Sequence, residues 1–263
     1  MILCPLIIWA SEIQHPILPP TTHASLKGNV DQLDDIYSAD LTLSVEYAFF
    51  QMFSLYTDAS YRFLGYSFEY SKDGYLHNYC NLHVNGFNET YLGTKFMIGS
   101  FFGVNLNWRF PPGSGSQDYR FHRFNIEPFV TFAFSDSLKI GAAIHYNKFL
   151  EQDNFQPGDE LGARISFYTK AFWYEVEQTG WVYAGALLYQ LRFLESENHN
   201  MAKPYQKMDD RYQGLKFDIN FTRYFALFPI PMGFGIDYQI HIGSLFGAEM
   251  GQQFGLHLST LPF

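Results

Sequence analysis

The chain of 263 residues carries a formal charge of −9, and 19% of it is aromatic, including 28 Phe and 19 Tyr. The acidic balance excludes the basic footprint of a nucleic-acid binder, and two cysteines, Cys4 and Cys80, are too few for a disulfide framework. Mean hydropathy is only −0.13, and without a run of about 18 apolar residues the mature part has no candidate helical span.

The start, MILCPLIIWA, reads as the apolar core of a secretory signal with cleavage after Ala10; a buried N-terminal strand is the alternative. Residues 11–20 (SEIQHPILPP) are Pro-rich and predicted irregular. The segment 21–30 alternates through Ala24, Leu26 and Val30 and reads as a first strand. Over 38–49, Leu41, Leu43, Val45, Tyr47 and Phe49 alternate with Asp40, Thr42, Ser44 and Glu46. After a brief turn, 53–66 sets Phe53, Leu55, Ala59, Tyr61 and Phe63 against Tyr56, Asp58, Ser60 and Arg62. A long polar segment follows, then strands near 87–98 and 102–110. In the second, Val104, Leu106, Trp108 and Phe110 oppose Gly103, Asn105, Asn107 and Arg109. For 87–98 both the Glu89–Lys95 and the Thr90–Phe96 series are candidates for the polar face.

The clearest pair runs from Phe124 to Asn147. Ile126, Pro128, Val130, Phe132 and Phe134 alternate with Asn125, Glu127, Phe129 and Thr131. A polar turn at Ser135–Ser137 follows, and then Leu138, Ile140, Ala142, Ile144 and Tyr146 oppose Lys139, Gly141, Ala143, His145 and Asn147. A period of two over this length makes an antiparallel hairpin. Each half reaches the ~9–11 residues a tilted strand needs to cross a bilayer. Pro128 has no N–H for a ladder bond, so a bulge is predicted there. Strands near 160–174, 181–194, 212–226, 232–243 and 251–263 complete the series.

Brief connections near 50, 99, 136, 177 and 229 alternate with long polar ones near 77, 115, 154 and 203. Outer-membrane barrels have short turns on one side, longer loops on the other and an even strand number. The phase requires a strand before residue 38. The predicted fold is therefore all-β: a closed antiparallel transmembrane β-barrel over 21–263 with twelve strands, ten or fourteen being the alternatives. A soluble all-β protein, with the aromatic face as its core, is the competing fold. Surplus aromatics at strand ends read as interface belts.

On this periodicity, the alternating connections and the terminal Phe263, the chain resembles bacterial outer-membrane β-barrel proteins as an architecture. The resemblance implies a Gram-negative outer membrane, contact with its lipid, and recognition of the last strand, ending at Phe263, by the barrel-insertion machinery. Phe263 and Leu261 are out of phase with Leu258, Leu256 and Phe254; a bulge at Ser259–Thr260 or at Pro262 would restore the phase.

No catalytic set emerges. His145-Tyr146-Asn147 and His241-Ile242-Gly243-Ser244 do not match the arrangements of the outer-membrane phospholipases or deacylases that barrels of this kind resemble. The pairs Asp34-Asp35 and Asp209-Asp210 lack an arguable partner. His77 and His83 around Cys80 read as a polar loop rather than a metal site, and no cofactor is implied. Parity points Asp40, Glu46, Asp58, Arg62, Arg109, Arg123, Glu127, Lys139, His145, Arg164, Arg192, Lys216, Asp218, Asp237, His241 and His257 inward. Gly103, Gly141, Ala143, Gly162, Ala184, Ala186, Gly233 and Gly235 share that face and are expected either to leave room for a pore or to permit curvature. The reading is a porin-like channel passing small polar solutes through a mixed-charge interior, narrowed by loops 67–86 and 195–211. A non-conducting structural or surface-interaction barrel is the alternative, and an outer-membrane hydrolase the third.

Overall fold

The structure, a computed structural model, describes residues 18–33, 36–65, 67–69, 78–80, 86–110, 122–151, 155–194, 196–198, 206–208, 212–226, 231–245 and 248–261. Twelve antiparallel strands close into one barrel. In chain order they are β1 (His23–Leu33), β2 (Ile36–Phe50), β3 (Phe53–Gly65), β4 (Gly86–Ile98), β5 (Phe102–Phe110) and β6 (Arg123–Ala133). The rest are β7 (Leu138–Phe149), β8 (Glu160–Tyr174), β9 (Thr179–Arg192), β10 (Tyr212–Phe225), β11 (Met232–Leu245) and β12 (Ala248–Thr260). Each strand pairs with its sequence neighbours, and β1 closes the ring on β12 with Leu26 opposite Leu258. Closure leaves no unpaired edge, the condition for β-structure in hydrocarbon.

Alternation fixes the two faces. Leu41, Leu43, Leu92, Ile126, Ile144, Ile165, Leu187, Leu215, Ile236 and Leu256 are exposed, while the polar residues between them are buried. So continuous an exposed apolar surface is foreign to a water-soluble domain and expected of a lipid-facing wall. Aromatic clusters frame it at both ends. At the end with the short turns, Tyr47, Phe49, Phe53 and Phe96 form a chain of ring contacts at 4.9–5.6 Å. At the loop end, Tyr61 meets Phe63 and Phe87, and Trp108 stacks on Phe124. These are the belts of a bilayer-spanning barrel. Arg223 sits 5.6 Å from the ring centres of Trp181 and Phe225 in the turn-side belt, where a cation can reach the interface.

Several local expectations need correction. Pro128 causes no register shift: it stands opposite Val104, and the ladder to β7 is only interrupted between Ile126↔Tyr146 and Phe129↔Ala143. The β8–β9 hairpin carries an irregularity instead, between Ala171 and Tyr174, with Phe172 at φ 48°. The register of β11 with β12 runs unbroken through Ser259 and Thr260, so no bulge restores the phase there. Leu261 turns inward and packs with Val182 and Tyr224. Pro262 and Phe263 lie outside the described residues, as do the first seventeen, including the expected signal. Leu18 and Pro20 are buried, and Thr21 N donates to Glu46 Oε1 at 3.2 Å, so the chain entering β1 lies against the inside of the turn end.

At the loop end, Ser67–Glu69 pairs with Asn78–Cys80. Ser196–Asn198 pairs with both Phe155–Gln156 and Gln206–Met208, tying the β7–β8 connection to the β9–β10 connection.

Candidate functional site: the charged interior

The barrel interior is largely polar, with apolar patches such as the one formed by Met97, Phe129 and Ala143. Of the residues predicted to face inward, Asp40, Glu46, Asp58, Arg62, Arg109, Arg123, Glu127, His145, Arg164, Lys216, Asp218, Asp237, His241 and His257 are buried, and Lys139 and Arg192 are half-buried. Four more charges lie on the same face: Lys95, which parity had left open, and Lys27, Glu160 and Lys170, which it missed. Together they make ten Lys and Arg side chains against seven carboxylates. In a chain of net charge −9, the interior side chains that the structure describes thus carry more cations than carboxylates.

Near the turn end, Glu46 of β2 gathers three strands. Lys95 Nζ lies 2.9 Å from Glu46 Oε2, and Ser54 Oγ donates to Oε1 at 2.6 Å. This settles the parity of β4, which places the Lys95 series inside and Phe96 outside. Towards the loop end, Arg62 grips Asp40 through two hydrogen bonds, Nε at 2.8 Å and Nη2 at 3.1 Å. Across the barrel wall, Tyr56 donates to Asn105 at 2.7 Å, Asn105 to Glu127 at 3.4 Å, and Arg164 Nη2 to the same Glu127 oxygen. Pairing of this kind is what makes buried charge tolerable.

A second arrangement was not visible in the sequence. Asn107, Asn125, Asn147, Glu160 and Arg192 stand directly opposite one another on the five adjacent strands β5 to β9. Their side chains form one ladder: Asn107 to Asn125 at 3.0 Å, Asn125 to Asn147 at 2.7 Å, Asn147 to Glu160 at 3.1 Å and Arg192 to Glu160 at 2.7 Å. Asn residues carry no charge to flag them, and Glu160 reads as part of a loop, so pattern alone could not join them.

One step nearer the loops is an arginine cluster. Arg109 and Arg123 are register partners across β5 and β6, and Arg123 stands opposite Phe149 of β7. The guanidinium carbons of Arg109 and Arg192 each lie 5.7 Å from the centre of the buried Phe149 ring. Arg123 lies 5.4 Å from the Tyr91 ring centre and donates to its hydroxyl at 3.3 Å. Aromatic faces help to hold the three cations in place, and Arg192 also pairs with Glu160.

On the other side of the barrel, β10, β11 and β12 share a hydrogen-bonded ring. Asp237 Oδ2 and His257 Nδ1 are 2.7 Å apart, and His257 Nε2 and Thr222 Oγ1 are 2.9 Å apart. Asn220 Nδ2 donates to Asp237 Oδ1 at 2.7 Å, and Thr222 donates to Asn220 Oδ1 at 2.8 Å. The order of groups is that of an acyl-transfer triad, but the Thr222 hydroxyl is shared with an amide inside a closed ring. That is a strand clamp, not an activated nucleophile. Lys27 Nζ stands 3.6 Å from Asp237 Oδ1.

The interior glycines do not open space. A methyl group at Gly103 would sit 2.3 Å from the Phe129 ring, at Gly162 2.2 Å from His145, and at Gly235 2.4 Å from His257. They make room for rings arriving from neighbouring strands, so the interior is tighter than their small size implies. Asp34-Asp35, Asp209-Asp210, His77 and His83 lie outside the described residues. Among the described residues no three His, Cys, Asp or Glu side chains are placed to hold a metal ion.

The sequence matches no known protein-family model and no curated protein. Solved structures do match in fold. The NanC porin superposes with a TM-score of 0.55 at 10% identity, over 90% of this chain and 99% of that one. The beta domain of the Bordetella autotransporter Brka gives 0.50 at 8% identity, over 92% of this chain and 99% of that one. The KdgM porin gives 0.45 at 8% identity, over 90% and 98%. By architecture, then, the chain has the closed antiparallel barrel fold of the bacterial outer-membrane proteins that it resembles.

Proposed function

We propose that the barrel is an outer-membrane channel for small polar solutes whose interior favours anions. The observation that carries this reading is the charge itself. A barrel that had only to be filled gains little from ten cations and seven carboxylates inside it, because well-packed apolar residues commonly replace buried ion pairs at no cost. Charges retained along the full height suit passage of hydrated polar molecules. The arginines around Phe149 at the loop end would meet an entering solute first and attract negative charge. The exposed apolar wall would contact outer-membrane lipid, and β12 would be the strand read by the barrel-insertion machinery.

A second reading, a non-conducting barrel, draws on the tightness of the interior: Glu46, Asn147 and Lys216 are 1%, 0% and 2% exposed. The channel reading therefore takes a narrow path, suited to small solutes. Liposome swelling tests it. Vesicles carrying the refolded protein should admit small organic anions faster than cations of equal size. Vesicles that admit neither would favour the second reading.

A further inference from the structure

Inside the turn half of the barrel, between β1 and strands β8 to β12, lies a cavity of about 140 Å³. Its walls are mixed. Leu18, Val182, Ala184 and Tyr168 supply apolar surface, and Asp218 and Asp237 supply carboxylates. The two carboxylates differ. Asp237 is occupied by His257, Asn220 and Lys27. Asp218 is 9% exposed, and its Oδ1 is buried with no hydrogen-bond partner among the described residues. Its register partners are Ala186 on β9, which offers only a methyl group, and Gln239 on β11, which makes no hydrogen bond to that oxygen. A buried carboxylate oxygen with no donor is costly. The Asp218 side chain lines a space large enough, at ~30 Å³ for each water, for several waters or one small molecule.

We propose that this cavity is a binding site for a small organic cation, a primary ammonium on a short apolar body, with Asp218 as its counter-charge. An ammonium brings three N–H donors and a full positive charge to a carboxylate whose Oδ1 has no donor among the described residues. A few carbons would lie against Leu18, Val182 and Ala184. Lys27 Nζ lies beside Asp237 and makes no hydrogen bond to Asp218 Oδ1. The site is separate from the arginine cluster at the opposite end and does not rest on conduction.

The test is titration of the refolded full chain in detergent micelles with n-propylammonium chloride, followed by calorimetry and ligand-observed NMR, with 1-propanol as the uncharged match. The expected result is saturable binding of propylammonium at one site and none of propanol. Asp218→Asn keeps the shape and removes the charge; it should weaken binding roughly tenfold or more. Ala184→Leu fills the cavity without altering charge and should do the same. Asp136→Asn, at the exposed β6–β7 turn and outside the cavity, should leave binding unchanged. Heat-modifiable gel mobility verifies that each variant is folded. Absence of saturable propylammonium binding, equal binding of propanol, or an unaltered affinity in folded Asp218→Asn would overturn the proposal.

Discussion

Asp237 and His257 face each other across β11 and β12 at 2.7 Å because the residue opposite His257 is Gly235. A Cβ at 235 would come within 2.4 Å of the imidazole and 2.4 Å of the Phe221 carbonyl oxygen. Gly235→Ala should therefore displace His257, break the ring through Asn220 and Thr222, and destabilise the barrel by about 1–3 kcal/mol. Gly28→Ala is the control, since nothing lies within 4 Å of its added methyl. Urea unfolding midpoints in lipid vesicles give the comparison.

The Glu46 cluster gives a sharper stability test. Glu46→Gln leaves the buried Lys95 ammonium, 2.9 Å away, without its counter-charge. Breaking a buried pair from one side costs about 3–5 kcal/mol. Adding Lys95→Met should recover much of that loss. Equal stability of the single and double variants would mean that Lys95 finds another partner.

The wall makes a depth-dependent prediction. Ile144 is 59% exposed in the middle of β7, and Phe134 is 68% exposed at the turn. Arginine at a bilayer midplane costs about 2–4 kcal/mol and near an interface about 0–1. Ile144→Arg should thus reduce folding yield into vesicles far more than Phe134→Arg. Equal effects would place the hydrocarbon elsewhere on the barrel.

Selectivity should follow the arginines. Arg109→Gln with Arg123→Gln removes two positive charges from one rung beside Phe149. Reversal potentials in a salt gradient should move towards cation preference, while the Ala-for-Ser change at the exposed Ser135 turn should leave them unaltered.

Much of the architecture was legible because a period of two is a strong signal when one face meets lipid. The charges of β2, β3, β5 to β7 and β9 to β11, and Arg164 of β8, declared their side by simple alternation. The parity of β4 did not, because Thr90, Thr94, Glu89 and Lys95 put polar groups on both faces; only contact with Glu46 decides it. Lys27 lay in a weakly alternating strand, and Glu160 sat beside a Pro-Gly-Asp run that looks like loop. The asparagine ladder and the His257 ring depend on register between strands, a quantity that a single strand's pattern does not contain. The glycines misled for the same reason: Gly162 looks like empty space until His145 arrives from β7.

Single-channel recording of the detergent-refolded protein in a planar bilayer, in symmetric salt, tests the central claim most directly. A narrow charged path should give small, stable conductance steps. Silence from protein whose heat-modifiable mobility proves it folded would contradict the channel reading and leave the interior as a structural network.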